Sequence, residues 1–449
     1  MTSAWPKVPV PSSRFSDTRS VNPQSHISAG LDATVVAGPG VSNARRWSLV
    51  GLLALAALIN YLDRATLSVA LPQISADLSL GPTAKGLVLS AFFWSYALMQ
   101  VPVGMLADRW NVRWLYAGAF ALWSVAGGLT GTVGGLATLI LVRIVLGVGE
   151  SIYLPGGLKI LSTLFPSRDR GLPSGFFDSG PRLGLALGGP LVALLTVRYG
   201  WRTMFFLVGF LALVWLLPWL WAFPSQFPRP AVVARAQANT IPRPRPWLPT
   251  FDRNLLGCCL GFFCFGYYQY LLVTWLPDYF VHVRHFTLLA AGAYASLTYL
   301  VWGLSAPLGG WISDRLICRG WDETRVRKGV ITAAFSTGLL LIPAALVAKA
   351  TSAVPLVAAA SLVGLSTANL LVMFQCCAPR GQVGAWTGTG NFIGNIGGVL
   401  SPLVTGILIS RTGSYFPGFA LAPLVLVAGL LSYWFIVREL KPLARWSSP

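Results

Sequence analysis

Six charged residues stand where the surrounding sequence is apolar: Asp63 and Arg64 in INYLDRATLSVA, Arg143 and Glu150 in LVRIVLGVGE, and Asp178 and Arg182 in FDSGPRLG. Their types allow a narrow chemistry. An arginine keeps its charge and offers a planar fork of donors that fits a carboxylate. A carboxylate in apolar surroundings is drawn to its neutral form by burial and to its anionic form by a nearby guanidinium, so it can take up and release a proton. Together such groups bind anions and protons reversibly. Covalent chemistry finds no support, because neither H-E-x-x-H nor G-x-S-x-G occurs and the histidines and cysteines lack metal-ligand spacing. A receptor or scaffold would have no use for arginines and acids spread through one half of the chain.

The elements that must hold these residues cross a membrane. Of 449 residues, 55% are hydrophobic and 10% charged, against about 25% charged in soluble domains. Apolar stretches near the ~20 residues that span a bilayer core recur twelve times, at 47–76, 83–107, 112–133, 136–163, 171–197, 203–223, 253–281, 288–313, 329–349, 353–377, 382–410 and 415–437. A central arginine costs roughly 2.5–3.5 kcal/mol on insertion, which argues that Arg64 has a function. Helix neighbours point about 100° apart, so Asp63 and Arg64 should not pair tightly. Arg143 and Glu150, about 10.5 Å apart along the axis, share a face without meeting; each needs a partner on another helix, in a substrate or in cavity water. Asp178 and Arg182 have the i, i+4 spacing at which opposite charges meet.

The formal net charge of +19 has to be placed before it is interpreted. With a cytoplasmic N-terminus, 24 of the 33 Lys and Arg fall on the cytoplasmic side and six outside (Lys85, Arg198, Arg202, Arg284, Lys349 and Arg411), leaving Arg64, Arg143 and Arg182 within spans. That is the positive-inside pattern. The charge reports orientation and asks for no nucleic acid. Residues 1–45, rich in Ser, Pro and Gly, read as a disordered cytoplasmic tail. The six cysteines, mostly in or at the ends of apolar helices, read as packing residues.

The chain repeats itself. G-x-x-x-D-R occurs in GMLADRW, with Asp108 and Arg109, and again 206 residues later in GWISDRL, with Asp314 and Arg315. The same offset carries Tyr61 onto Tyr267, and with a small shift it brings the glycine-rich fifth span onto the eleventh. The expected architecture is all-α and integral to the membrane, with twelve transmembrane helices in two six-helix bundles related by pseudo-two-fold symmetry. Its expected divisions are the tail 1–45, a first bundle 46–224, a proline-rich cytoplasmic linker 225–252, a second bundle 253–438 and a cytoplasmic tail 439–449. The two D-R motifs end helices at the cytoplasmic face, where charge networks can hold one state of a rocking cycle, so Asp108, Arg109, Asp314 and Arg315 are expected gate residues. His282 and His285 read as loop residues.

Several ordered segments resemble the anion:cation symporter family of the major facilitator superfamily: NYLDRATLSVALPQI, LSAFFWSYALMQVPVGMLADRW, LVRIVLGVGESIYLPGGLK, LFPSRDRG, GWRTMFFLVG, TWLPDYF, GGWISDRL and GNFIGNIGGVLSPLVTGILISRTGSY. The resemblance covers roughly residues 45–438. It implies a major facilitator fold and transport of organic anions such as hexonates, hexuronates, aldarates or tartrate, in bacteria commonly with protons. It also implies anion binding at Arg143, proton coupling or gating at Glu150, and substrate contacts at Tyr61, Tyr96 and Asn391. Gln375 stands where the family has a contacting serine, and Leu371 where it has a tryptophan. The fifth span departs further. Where members often read N-S-G-Q, this chain has Asp178, Pro181 and then Arg182; the pair either neutralises itself or adds a cationic contact for a doubly charged substrate.

The resulting expectation is proton-coupled symport of a small organic anion. Arg64, Arg143, Tyr61, Tyr96, Asn391, Gln375 and Arg182 would bind substrate, and Asp63 and Glu150 would carry the coupling proton. Asp63 in particular would gain its proton when the anion draws the arginines away. The alternative is an uncoupled facilitator or exchanger. No cofactor besides the proton is expected, and the carrier would be a monomer in a bacterial inner membrane with both termini cytoplasmic.

Overall fold

Short polar side chains start the helices. Ser42 accepts the Arg45 amide at 3.3 Å, Asn111 that of Arg113 at 3.1 Å, Asp252 that of Asn254 at 3.0 Å and Asp322 that of Arg325 at 2.8 Å. These contacts come from a computed structural model, which describes residues 41–80, 82–224, 249–379 and 381–441. The first bundle comprises α1 (Asn43–Asp77), α2 (Pro82–Arg109), α3 (Val112–Leu129), α4 (Leu136–Leu164), α5 (171–199) and α6 (201–222). The last two form one hydrogen-bonded run broken at Gly200, whose φ of 79° glycine adopts without a Cβ penalty. The second bundle comprises α7 (Arg253–His282), α8 (Leu288–Cys318), α9 (Glu323–Leu346), α10 (Ser352–Cys377), α11 (Val383–Thr412) and α12 (Phe416–Ile436).

Among the described residues, nine stretches are long and apolar enough to cross a membrane. Gly171–Ala222 holds two of the crossings, and α3 and α8 complete the expected twelve. Of the expected tails and linker, residues 1–40, 225–248 and 442–449 lie outside the described residues. The helices run up and down, so the two D-R motifs share one face, the motif face, with the 165–170 turn and the N-terminus of α11. The opposite end is the far face.

Close approach of backbones holds each bundle, as expected where lipid removes the hydrophobic drive between helices. A Cβ on Gly180 would lie 2.2 Å from the Ala54 carbonyl and one on Gly184 2.5 Å from that of Leu58, which seats α5 on α1. In the second bundle a Cβ on Gly397 would lie 2.6 Å from the Phe263 carbonyl, which seats α11 on α7 in the same manner. At the far face Asp77 accepts hydrogen bonds from Trp201 Nε1 at 2.8 Å and Arg202 Nη1 at 2.7 Å. The Trp201 bond, and then Arg202, hold the Asp77 carboxyl below the usual carboxylate range.

Candidate functional site

The bundles are joined at the motif face by two equivalent latches. Neither α5 nor α11 has a side-chain cap of its own at its N-terminus. The amides of Gly384 and Ala385 donate to Asp108 Oδ1 and Oδ2 at 3.0 and 2.8 Å, and those of Gly171 and Leu172 donate to Asp314 Oδ1 and Oδ2 at 3.0 and 2.8 Å. Each motif carboxylate therefore caps a helix of the other bundle, where backbone amides and the helix dipole favour an anion. The motif glycines make room for this. A Cβ on Gly104 would lie 2.3 Å from the Gly384 carbonyl, and one on Gly310 2.2 Å from that of Gly171. Lys159 Nζ lies 3.0 Å from Asp108, and Arg327 Nη2 lies 3.5 Å from Asp314 while donating to the Ser167 carbonyl at 2.7 Å. Arg109 is half-buried and Arg315 exposed beside them.

Above the latches the first bundle buries its charges. Arg64 Nε donates to Glu150 Oε2 at 3.1 Å, with the Glu150 side chain fully enclosed. Arg64 thus reaches across to α4 and not to adjacent Asp63. Its guanidinium carbon lies 4.5 Å from the ring centres of both Tyr61 and Tyr96 and 5.1 Å from that of Phe92, which Arg143 also faces at 5.2 Å. Asp63 Oδ2, Arg64 Nη2, Arg143 Nε and Nη1 and Glu150 Oε1 are buried without hydrogen-bond partners. A half-satisfied network of this kind is expensive in low dielectric and retains capacity for a charged guest.

A small cavity lies between the bundles and is lined by both. Tyr61, Tyr96, Tyr153, Asp178 and Arg182 line it from the first bundle; Phe262, Phe265, Gln269, Tyr270, Asn391 and Asn395 line it from the second. Asn391 Nδ2 donates to the Tyr96 hydroxyl at 3.3 Å, and Arg182 Nη2 donates to Gln269 Oε1 at 3.1 Å, so both bundles share its polar wall. Among the described residues, no hydrogen bond or ion pair joins the bundles on the far side of these two contacts.

The expected substrate residues divide by place. Tyr61, Tyr96, Asn391 and Arg182 line the cavity, whereas Arg64 and Arg143 are outside its lining, Arg64 against the Tyr61 and Tyr96 rings and Arg143 against the Phe92 ring. Gln375 is outside the lining: its Nε2 donates to Ser174 Oγ of the other bundle at 3.1 Å, one turn from cavity-lining Leu371. Tyr268 points away to the Ala360 carbonyl at 3.2 Å. Tyr153, Phe262, Phe265 and Tyr270 were not among the expected contacts. For the second bundle the signal was available, since 262, 265, 266, 269 and 270 fall on one helical face that excludes 267 and 268. Lys159 and Arg327, which brace the latches, carried no local signal. At the far face His282 pairs with Asp278 at 3.0 Å.

Two helical bundles latched at one face and lining a shared cavity, with charges buried beside it, define a membrane carrier, and the protein is a multi-pass membrane transporter. Residues 53–402 match the Major Facilitator Superfamily, and the chain belongs to it. It is 30% identical over 443 residues to a probable galactarate/D-glucarate transporter of Bacillus subtilis, covering 91% of this chain and 96% of that one. A hexuronate transporter of the same organism is 29% identical, with 87% and 94% covered. Among solved structures, the Major Facilitator Superfamily transporter FucP in its outward conformation superposes with a TM-score of 0.63 at 13% identity, over 87% of this chain and 99% of that one.

Proposed function

We propose that the protein carries a small organic anion, a sugar acid such as a hexonate, hexuronate or aldarate, into a bacterial cell together with protons by alternating access. One observation carries the reading: the buried Arg64–Glu150 pair at 3.1 Å behind the tyrosine wall of the cavity. The relatives' substrates support the anion class, and the positive-inside pattern makes the motif face cytoplasmic. The latches then shut the cavity toward the cytoplasm, and substrate enters from the far face.

The cycle follows from charge balance. An entering carboxylate competes with Glu150 for the Arg64 fork, and Arg143, with two unpartnered donors, adds a second pull. Glu150, buried and stripped of its cation, is costly as an anion and takes a proton. Asp63, beside it with one unpartnered oxygen, is a second proton site. The loaded, charge-compensated bundles rock, the carboxylate caps on α5 and α11 open, and anion and proton leave to the cytoplasm. The proton is the only coupling agent this scheme requires, and one chain suffices.

Uptake of labelled galactonate, galacturonate and galactarate into proteoliposomes, with and without an imposed pH gradient, tests the reading. Accumulation driven by outside acid is expected. Gradient-independent equilibration would make the protein a facilitator or exchanger, and failure to move any of the three would sink the sugar-acid reading.

A further inference from the structure

The Asp178–Arg182 pair on α5 belongs to the cavity yet has no part in the scheme above. Arg182 is 4% exposed and lines the cavity from the first bundle. Its guanidinium carbon sits 4.8 Å from the Trp302 ring centre on α8, and a Cβ on Gly303 would lie 2.9 Å from its own Cβ, so α8 fixes the base of the side chain. Its head is poorly satisfied. The approach to Asp178 is 3.9 Å, too long for a hydrogen bond; one hydrogen bond goes to Gln269 Oε1, and Nε is buried without a partner. Asp178 Oδ2 likewise accepts no hydrogen bond. A self-contained structural pair at i, i+4 would close to a short contact that uses the fork. This one leaves a donor unpaired on a side chain that lines the same cavity as Tyr61, and Tyr61 also covers Arg64 at 4.5 Å.

We infer that Arg182 is a specificity-determining residue that receives a second anionic group of the substrate, so that the carrier prefers organic acids with an anionic group at each end over those with one. The inference rests on the sugar-acid reading and narrows it. Arg64, behind Tyr61 and Tyr96, takes one carboxylate, and Arg182, held by Trp302, takes the other. The hydroxyls and amides of Tyr61, Tyr153, Gln269, Asn391 and Asn395 face the polyhydroxyl chain between them. Asp178 holds the guanidinium loosely, so an incoming carboxylate or sulfonate that makes two short bonds displaces it from a weak partner.

Galactonate and galactarate share a six-carbon polyhydroxyl chain and differ only in the second carboxylate, which makes them the probes. Their binding to the purified full chain is measured by calorimetry and checked by inhibition of uptake into proteoliposomes. Wild type is expected to bind galactarate at least tenfold more tightly, about 1.4 kcal/mol. In Arg182→Gln the loss for galactarate should exceed the loss for galactonate by that factor, and Arg182→Lys should recover part of the preference through charge without the fork. Arg182→Gln strands Asp178 as a buried charge, so the double variant Asp178→Asn/Arg182→Gln, which leaves no orphan charge, is measured beside it and should show the same collapsed preference. Equal losses for both anions, or no preference in wild type, would overturn the inference while leaving sugar-acid transport standing. Failure of wild type to bind either anion would remove that reading and the inference together.

Discussion

Arg64 Nε lies 3.1 Å from Glu150 Oε2 on another helix, while Asp63, its neighbour in sequence, makes no ion pair with it. On the proposed scheme the partner an anion displaces is Glu150. Glu150→Gln keeps the shape of the side chain and removes its proton exchange, so acid-driven accumulation should fall at least tenfold while exchange of labelled for unlabelled substrate persists. Asp63→Asn is run beside it. Loss of coupling in Asp63→Asn with coupling intact in Glu150→Gln would move the proton site to Asp63.

Arg64→Lys separates charge from geometry. The guanidinium lies 4.5 Å from two tyrosine rings and keeps a fork for a carboxylate, which an ammonium does not reproduce. Hydrogen bonds to charged groups contribute about 1.5–3 kcal/mol. Calorimetry on the purified variant should show substrate binding weakened by roughly 10–100-fold on that scale. Unchanged affinity would leave Arg64 a structural role only.

The latches predict a conformational equilibrium. Asp108→Asn and Asp314→Asn weaken the anionic caps on α11 and α5, contacts worth about 0.3–1 kcal/mol each at a helix terminus and up to ~2 when buried. Gly384→Ala acts sterically, because its Cβ would lie 2.3 Å from the Gly104 carbonyl. All three should shift spin-label distances across the motif face toward the separated state, with Gly384→Ala the most complete. Distance distributions matching wild type in all three would show that other contacts hold that face shut.

The sequence disclosed the spans because a bilayer imposes length and composition on each one separately. A motif repeated at a fixed offset marked Asp108 and Asp314, which occupy equivalent places in the two bundles, but their capping of helices in the opposite bundle had no sequence signal. The cavity was only half legible. On the seventh span Tyr267, Tyr268 and Gln269 read as pocket candidates, and the wall uses Gln269 with Tyr270, since the helical face, and not the repeat register, decides which side chain looks inward. Gln375 reads as a pocket residue by position and instead bridges to Ser174. Arg327 and Lys159 gain meaning only from carboxylates on α8 and α2, and no local period encodes which distant helices meet.

The far face offers a prediction with a definite sign. Asp77 ties the end of α1 to the start of α6 through Trp201 and Arg202, and its carboxyl is held below the usual value by the Trp201 hydrogen bond and then by Arg202. A group lowered in the folded state binds fewer protons there than in the unfolded state. Its contribution is fully present above the unfolded value, about 3.9, and is lost as the pH falls through the lowered folded value. Asp77→Asn should therefore lower the thermal midpoint of the purified protein by a constant amount above about pH 5, and the gap to wild type should shrink below about pH 4. Both side chains of the ion pair are nearly half exposed, 44% and 49%, so the gap at neutral pH should be small and should narrow further in high salt. A gap that widens toward acid pH, or that ignores both pH and salt, would show that Asp77 does not act through its charge.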